Sequence, residues 1–109
     1  MSRVFYRVIK GPEPTVEDFI PLKEQGRPLK NPKWKREWEY GVSVYDDFDY
    51  TVARTRKFPK MGSYIATLVV PDDGSIEFAK TMDDEHHYTI YALAERVLQL
   101  VVGRVVPEE

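Results

Sequence analysis

The chain has 109 residues, of which 42% are hydrophobic and 31% charged, with a formal net charge of −2. This length fits one domain over residues 1–109, and the balance supports a folded core rather than compositional disorder. The 16 basic and 18 acidic residues nearly cancel, which argues against a general nucleic-acid or membrane binder. Cysteine is absent, which excludes disulfides, thiolate metal ligands and a cysteine nucleophile.

The first third of the chain predicts one strand followed by two short helices. Apolar residues lie on both faces of RVFYRVIKG, which indicates a central strand ended by a Gly-Pro pair. Thr15 and Asp18 have the spacing of a capping box at a helix start, and Pro21 predicts that this helix kinks or splits. Asn31 followed by Pro32 predicts the start of the second helix.

The rest of the chain alternates between strand and helix patterns. VSVY predicts a strand, and acidic residues followed by basic ones predict a helix from Asp47 to Lys57 with Phe48 and Val52 inward. SYIATLVVP predicts a long strand, and SIEFAKT its hairpin partner across a DDGS turn. HHYTIY predicts a strand, LAERVLQLV a helix with Leu93 on its apolar side, and GRVVP a final strand. We therefore expect a compact α+β domain with a mixed or mostly antiparallel sheet of about five to six short strands and three to four helices.

No apolar run approaches the ~20 residues that span a bilayer, and the amino-terminal residues lack a secretory signal pattern. The absence of cysteine fits a reducing compartment. We therefore expect a cytoplasmic location with no membrane contact.

The segment DDEHHY contains the only two histidines of the chain, directly after three carboxylates. Side chains alternate between the faces of a strand, so His86 and His87 point in opposite directions and cannot together chelate one ion. No helical metal-binding spacing is present, and we predict no metal site. Two readings stay open: an acid–base site that uses Glu85 and His87, or a solvated turn before an ordinary strand.

A basic cluster lies at the carboxyl-terminal end of the helix predicted to end at Lys57. Arg54, Arg56, Lys57 and Lys60 complement the negative end of the helix dipole, which is a sufficient structural reason for them. The same residues predict a local contact with phosphate or RNA, with Phe58 as a stacking group.

Two tryptophans, Trp34 and Trp38, are four residues apart and share one face of the second predicted helix. They are core or lid residues, or they form part of a partner surface. The chain has no nucleophile elbow, phosphate-binding glycine loop or dinucleotide fingerprint. Hydrolase and nucleotide-kinase functions therefore have no support in the sequence.

Four segments in order, YRVIKG, GVSVY, YIATLVVP and an acidic turn before a strand, resemble the arginine–serine–glutamate class of the ADP-ribosyltransferase-like fold. The resemblance implies an NAD-binding cleft between two small sheets. It implies that Arg7 holds the cofactor, Ser43 shapes the pocket and Glu85 orients the ribose or the acceptor. Two positions depart from the pattern of that class. A valine follows Ser43 where a second hydroxyl residue is usual, and Asp83 takes the place of the residue expected two positions before Glu85. The pattern also resembles small bacterial proteins, and that likeness implies no activity.

Three functional hypotheses follow. The first is a non-catalytic binding or protein-interaction module without a cofactor, whose surface includes Trp34. The second is an NAD-using ADP-ribosyltransferase-like enzyme or toxin with Arg7, Ser43, Glu85 and His87 as catalytic residues. The third is a small RNA-binding protein that uses the basic cluster.

Overall fold

Six antiparallel strands form one sheet in the computed structural model, which describes residues 2–107, with the backbone alone for 103–107. The strands are β1 (Ser2–Ile9), β2 (Val42–Tyr45), β3 (Tyr64–Pro71), β4 (Glu77–Lys80), β5 (His87–Tyr91) and β6 (Val101–Pro107). Their spatial order is β4-β5-β2-β1-β3-β6. The predicted α+β class is confirmed, and β1 is a central strand as its two apolar faces predicted.

Three α-helices and three short 3-10 helices connect the strands. The α-helices are α1 (Lys35–Tyr40), α2 (Phe48–Lys57) and α3 (Ala94–Leu98), and the 3-10 helices are Val16–Phe19, Pro32–Trp34 and Pro59–Met61. The predicted cap at Asn31 is present, since its side chain accepts a hydrogen bond from the Lys33 amide at 3.0 Å. Asp47, predicted as the first residue of a helix, caps α2 instead and accepts from the Tyr50 amide at 2.8 Å. These local contacts fix where α2 and the Pro32–Trp34 turn begin.

The helix predicted after Thr15 is shorter than expected. The Thr15 amide donates to the Asp18 carboxylate at 2.8 Å, as the capping-box spacing predicted. The helix that follows is a single 3-10 turn that ends at Phe19, and Ile20 is already extended. Pro21 accounts for the early end, because proline disfavours helical backbone at the residue before it.

The core lies on one face of the sheet, beneath the 16–19 turn and α3. Phe5, Ile9, Val42, Val44, Ala66, Leu68, Val70 and Ile90 contribute this sheet face, and Phe19, Ala94, Val97 and Leu100 cover it. Helix α2 packs against the opposite face, where the Tyr45 and Tyr50 rings lie 5.5 Å apart.

The strand predicted as the hairpin partner of β3 pairs elsewhere. Segment SIEFAKT contains β4, which pairs with β5, whereas β3 has β1 on one side and β6 on the other. Both hydrogen-bonding edges of β3 are therefore occupied, and the chain crosses after Pro71 to the other edge of the sheet. The hairpin prediction was wrong because turn chemistry does not report which neighbours compete for an edge.

Two inward predictions were also wrong. Phe48 is 37% exposed, and Leu93, which precedes α3, is 78% exposed. The buried side chains of α2 are Thr51 and Thr55, whose hydroxyls donate to helix carbonyls at 2.7 and 2.6 Å. A hydroxyl that donates to a carbonyl of its own helix can be buried at little cost in free energy. The two threonines can therefore lie where α2 packs most closely against the sheet.

The sheet is divided at its centre. β1 and β2 pair only at Tyr6 and Tyr45 within the described chain, whereas β1 and β3 pair along their whole length. Beyond Tyr6 the two central strands lack a hydrogen-bonded ladder, and the Arg7 side chain bridges the opening to β2. This divergence creates a cleft at the centre of the sheet.

Candidate functional site

A cleft of about 500 Å³ lies where β1 and β2 diverge. Its walls come from the second half of β1, from β2, from the loop after β1 and from α2. The turn Pro59–Met61, the β4–β5 turn and the first residue of β5 complete it. A volume of this size is typical of sites that bind small molecules.

Arg7 crosses the base of the cleft. Its Nε donates to the Asp18 carbonyl and its Nη1 to the Ser43 carbonyl, both at 2.6 Å. The Asp18 carboxylate itself accepts from the Thr15 amide. Burial lowers the pKa of Arg7 to about 10, opposed by the charges of Tyr45 and Asp18. The guanidinium therefore stays protonated at neutral pH and is held by neutral carbonyls.

Arg54 reaches the same cleft from the last turns of α2. Its guanidinium carbon lies 4.6 Å from the centroid of the Phe58 ring and 5.9 Å from that of Tyr45. Its Nε atom is buried and has no hydrogen-bond acceptor among the residues that the structure describes. A buried donor without a partner is uncommon, and it is one mark of a site that a ligand completes.

His87 forms a wall of the cleft and is 8% exposed. Its Nδ1 lies 2.9 Å from the Thr81 hydroxyl, which lies 2.7 Å from the Thr89 hydroxyl. Burial lowers the pKa of His87 to about 4, with further lowering from Arg54 and Arg7 and an opposing effect from Asp84. The imidazole is therefore neutral at physiological pH.

Asp84 belongs to a polar network beside His87. The Tyr50 hydroxyl donates to one Asp84 oxygen at 2.5 Å, and the His86 amide donates to the other at 2.9 Å. Although partial burial opposes it, these bonds lower the pKa of Asp84, and the pKa of Tyr50 rises to about 12 through the same bond. His86 Nδ1 lies 2.8 Å from Asp46, which raises the pKa of His86.

Acidification is expected to destabilise the protein through His87. The unfolded histidine takes up a proton near its ordinary pKa of 6.5, whereas the folded one stays neutral down to about 4. The unfolded state therefore binds more protons in this window, and stability falls as pH falls. Urea unfolding should show that, between about pH 7.5 and pH 4.5, the free energy of unfolding of wild type falls by roughly 2 to 3 kcal/mol more than that of His87→Gln.

The adjacent histidine is the control, because its pKa is shifted in the other direction. The raised pKa of His86 gives a stabilisation that is complete below pH 6.5 and lost as pH rises through the folded pKa. The stability deficit of His86→Gln relative to wild type should therefore shrink as pH rises, whereas that of His87→Gln should grow. Equal pH dependence of both variants would contradict the assignment.

The structure brings some of the predicted catalytic residues together and leaves one out. Arg7, Ser43 and His87 line the cleft, whereas Glu85 is exposed and does not, and its neighbour Asp84 lines the cleft instead. Pairing of Tyr6 with Tyr45 places Arg7 and Ser43 on opposite faces of the sheet.

Arg7 therefore meets the Ser43 carbonyl rather than its hydroxyl. The three side chains do not converge in the way that the resemblance implied. His86 lies in the turn before β5 and not in the strand, so strand alternation does not separate it from His87, and its ring lies 4.7 Å from that of Tyr50 on α2.

The predicted interface residues lie outside the cleft, with one exception. Trp34 and Trp38 are partly buried on the second helical segment, and Trp38 Nε1 donates to the Arg27 carbonyl at 2.7 Å. Arg56 and Lys57 are exposed on α2. Arg54 is the exception, since it turns into the cleft.

Asp84 and Arg27 are cleft residues that sequence reasoning missed. Asp84 was part of the acidic run that drew attention, but nothing in the run distinguishes it from Glu85. Arg27 lies in a loop whose position depends on contacts with the Pro32–Tyr40 region, such as the hydrogen bond from Trp38. No local pattern could have indicated it.

Comparison of this chain with models of known protein families, with curated proteins and with solved structures finds no match. Among residues 2–107, no helix is long and apolar enough to cross a membrane. The described residues contain no group of three or more histidine, aspartate or glutamate side chains that could hold a metal ion. The fold and the site thus define an α+β domain with a basic cleft at the centre of its sheet.

Proposed function

We propose that this protein binds a small anionic molecule that carries phosphate, in the cleft between β1 and β2. The observation that carries the proposal is the pair Arg7 and Arg54. Both line one cleft, and neither has a carboxylate hydrogen-bond partner among the described residues. Removing a cation from water without a hydrogen-bonded carboxylate costs free energy, and a bound anion would offset that cost.

The rest of the lining supports an anion. Five cations and three carboxylate residues face the cleft: Arg7, Lys10, Arg27, Arg54 and Lys60 against Glu17, Asp18 and Asp84. Arginine presents a planar fork of donors that matches phosphate oxygens, and the neutral His87 can hydrogen-bond without changing the charge. The proposal keeps the binding role of the first hypothesis and replaces its protein partner with a small ligand.

Arg54→Met should weaken binding of ADP or pyrophosphate by roughly ten- to a hundredfold, because one charged hydrogen bond contributes about 1.5–3 kcal/mol. The folded chain should keep most of its stability, since the Arg54 Nε has no partner to lose. Titration calorimetry gives the affinity, and thermal unfolding gives the stability.

Arg96→Met is the matched control, because Arg96 is exposed on α3 and does not line the cleft. It should bind both ligands like wild type. If wild type binds neither ADP nor pyrophosphate, or if both variants lose affinity equally, the proposal is wrong.

A second candidate is NAD-using chemistry, favoured by the presence of Asp84 in the same cleft as Arg7. The lowered pKa of Asp84 keeps it ionised, so its carboxylate could stabilise the positive charge that develops on a ribose when nicotinamide leaves. Incubation with NAD and detection of free nicotinamide tests it. Turnover that Asp84→Asn abolishes supports the enzyme, and binding without turnover leaves only the binding function.

A further inference from the structure

A second surface lies beside the mouth of the cleft, on the turn after α2 and the end of β1. We call it the cationic rim and define it as Lys10, Lys57, Phe58 and Lys60, all of which are exposed. Lys10 and Lys60 also line the cleft, so the rim and the cleft are continuous. The rim is a local concentration of positive charge on a chain whose net charge is −2.

The geometry of the rim keeps its cations together. The Lys10 ammonium donates to the Lys60 carbonyl at 2.6 Å, which ties the end of β1 to the turn Pro59–Met61. Lys10 and the turn that carries Lys60 therefore stay together, and none of the three lysines forms an ion pair with a described carboxylate.

An exposed aromatic ring lies among these cations. Phe58 is 41% exposed, and the Lys57 ammonium lies 5.5 Å from its ring centroid. The Arg54 guanidinium carbon lies 4.6 Å from the same centroid, so two cations contact this ring. Base stacking on such a ring, with phosphates held by nearby cations, is how proteins bind single strands without sequence preference.

We propose that the cationic rim binds a single-stranded nucleic acid across the mouth of the cleft. A single strand is favoured over a duplex because its unpaired bases can stack on Phe58, whereas the bases of a duplex are stacked on one another. The rim goes beyond the proposed function, because the strand contacts Lys57 and Phe58, which do not line the cleft.

The test is fluorescence anisotropy with the full chain and a labelled oligouridylate of about twelve nucleotides, with the matching DNA strand as a second probe. Phe58→Ala should weaken binding roughly five- to a hundredfold, because it removes one stacking platform. Lys57→Gln should lower the slope of log affinity against log salt by about 0.7, the value for one phosphate contact on a single strand. The ratio of the two probe affinities distinguishes RNA from DNA as the strand.

Lys80→Gln is the matched control for charge, because Lys80 is exposed on β4, which β5 and β2 separate from β1. It should leave affinity and salt slope unchanged. Absence of binding at about 50 mM salt would overturn the proposal. So would equal losses in the Lys80 variant, or equally tight binding of polyglutamate, which has charge without bases.

The outcome can be separated from that of the cleft. Lys57→Gln should bind ADP and pyrophosphate like wild type, since Lys57 is exposed and does not line the cleft. Loss of oligonucleotide binding with intact ADP binding therefore isolates the rim. Loss of ADP binding in Lys57→Gln would overturn a rim that is separate from the cleft, because Lys57 does not line the cleft.

Discussion

Replacing Gly62 with alanine is expected to lower the free energy of unfolding by about 4 kcal/mol, a large part of the usual 5–15 kcal/mol for one domain. Gly62 follows the turn Pro59–Met61 and has a φ of 141°. A side chain at this φ is strained in itself. An added Cβ would also overlap the carbonyl oxygen of Ile9 and lie 2.6 Å from its carbonyl carbon.

The overlap is costly because backbone, not a flexible side chain, opposes the new atom. Relief requires the turn Pro59–Met61 to move away from the end of β1, which would break the hydrogen bond from Lys10 to Lys60. Urea unfolding monitored by circular dichroism measures the loss.

Two other glycines separate the strain from the overlap. Gly74 has a φ of 87° with open space around it, so Gly74→Ala should cost about 1 kcal/mol from strain alone. Gly11 has neither a positive φ nor a close neighbour, so Gly11→Ala should change stability by less than about 0.5 kcal/mol. If Gly62→Ala lowers the free energy of unfolding no more than Gly74→Ala does, Gly62 does not pack closely against Ile9.

Arg7→Met should weaken binding of ADP or pyrophosphate by about a hundredfold or more, because the change removes a hydrogen-bonded cation from the base of the cleft. It should also reduce the free energy of unfolding by about 2 kcal/mol, since the Asp18 and Ser43 carbonyls lose their donor. Removal of a partly buried charge offsets some of that loss. Calorimetry and urea unfolding measure the two effects on one protein sample.

Arg3→Met is the matched control for Arg7→Met, on the same strand and the same face of the sheet. The Arg3 guanidinium lies 5.2–5.6 Å from the rings of Phe5, Phe78 and Tyr88 and is outside the cleft. Its replacement should cost about 0.5–1 kcal/mol of stability and leave ligand affinity unchanged. Arg7→Lys, which keeps the charge, should recover part of the affinity. Wild-type affinity in Arg7→Met would refute the anion site.

Much of the local structure was predictable because it depends on contacts between residues two or three apart. The cap at Asn31 and the capping box at Thr15 are of this kind. His87 is buried and His86 is half-buried, but strand alternation is not the reason for this difference, because His86 lies in the turn before β5. Hydrophobic pattern was sufficient for the α+β class and for the central position of β1.

The wrong predictions concern features that depend on contacts between segments far apart in the sequence. The β4 pattern fits an antiparallel partner, but whether that partner is β3 or β5 depends on which edges other strands occupy. The resemblance pointed to Glu85, whereas the turn before β5 directs Asp84 into the cleft. Adjacent carboxylates in one turn cannot be distinguished from sequence. The hydrogen bond that Tyr50, 34 residues away, donates to Asp84 distinguishes Asp84 from Glu85.

The sequence by itself determined the α+β class and the local caps, because hydrophobic pattern and short-range hydrogen bonds decide these features. Only the tertiary structure decided that β1 and β2 part beyond Tyr6 and that Arg7 crosses the gap to a carbonyl 36 residues away. It also decided that Arg54, which looked like a surface charge near a helix end, turns inward. The cleft arises from these long-range placements. Its electrostatics follow from them too, because the pKa of a buried group depends on what the whole fold packs around it.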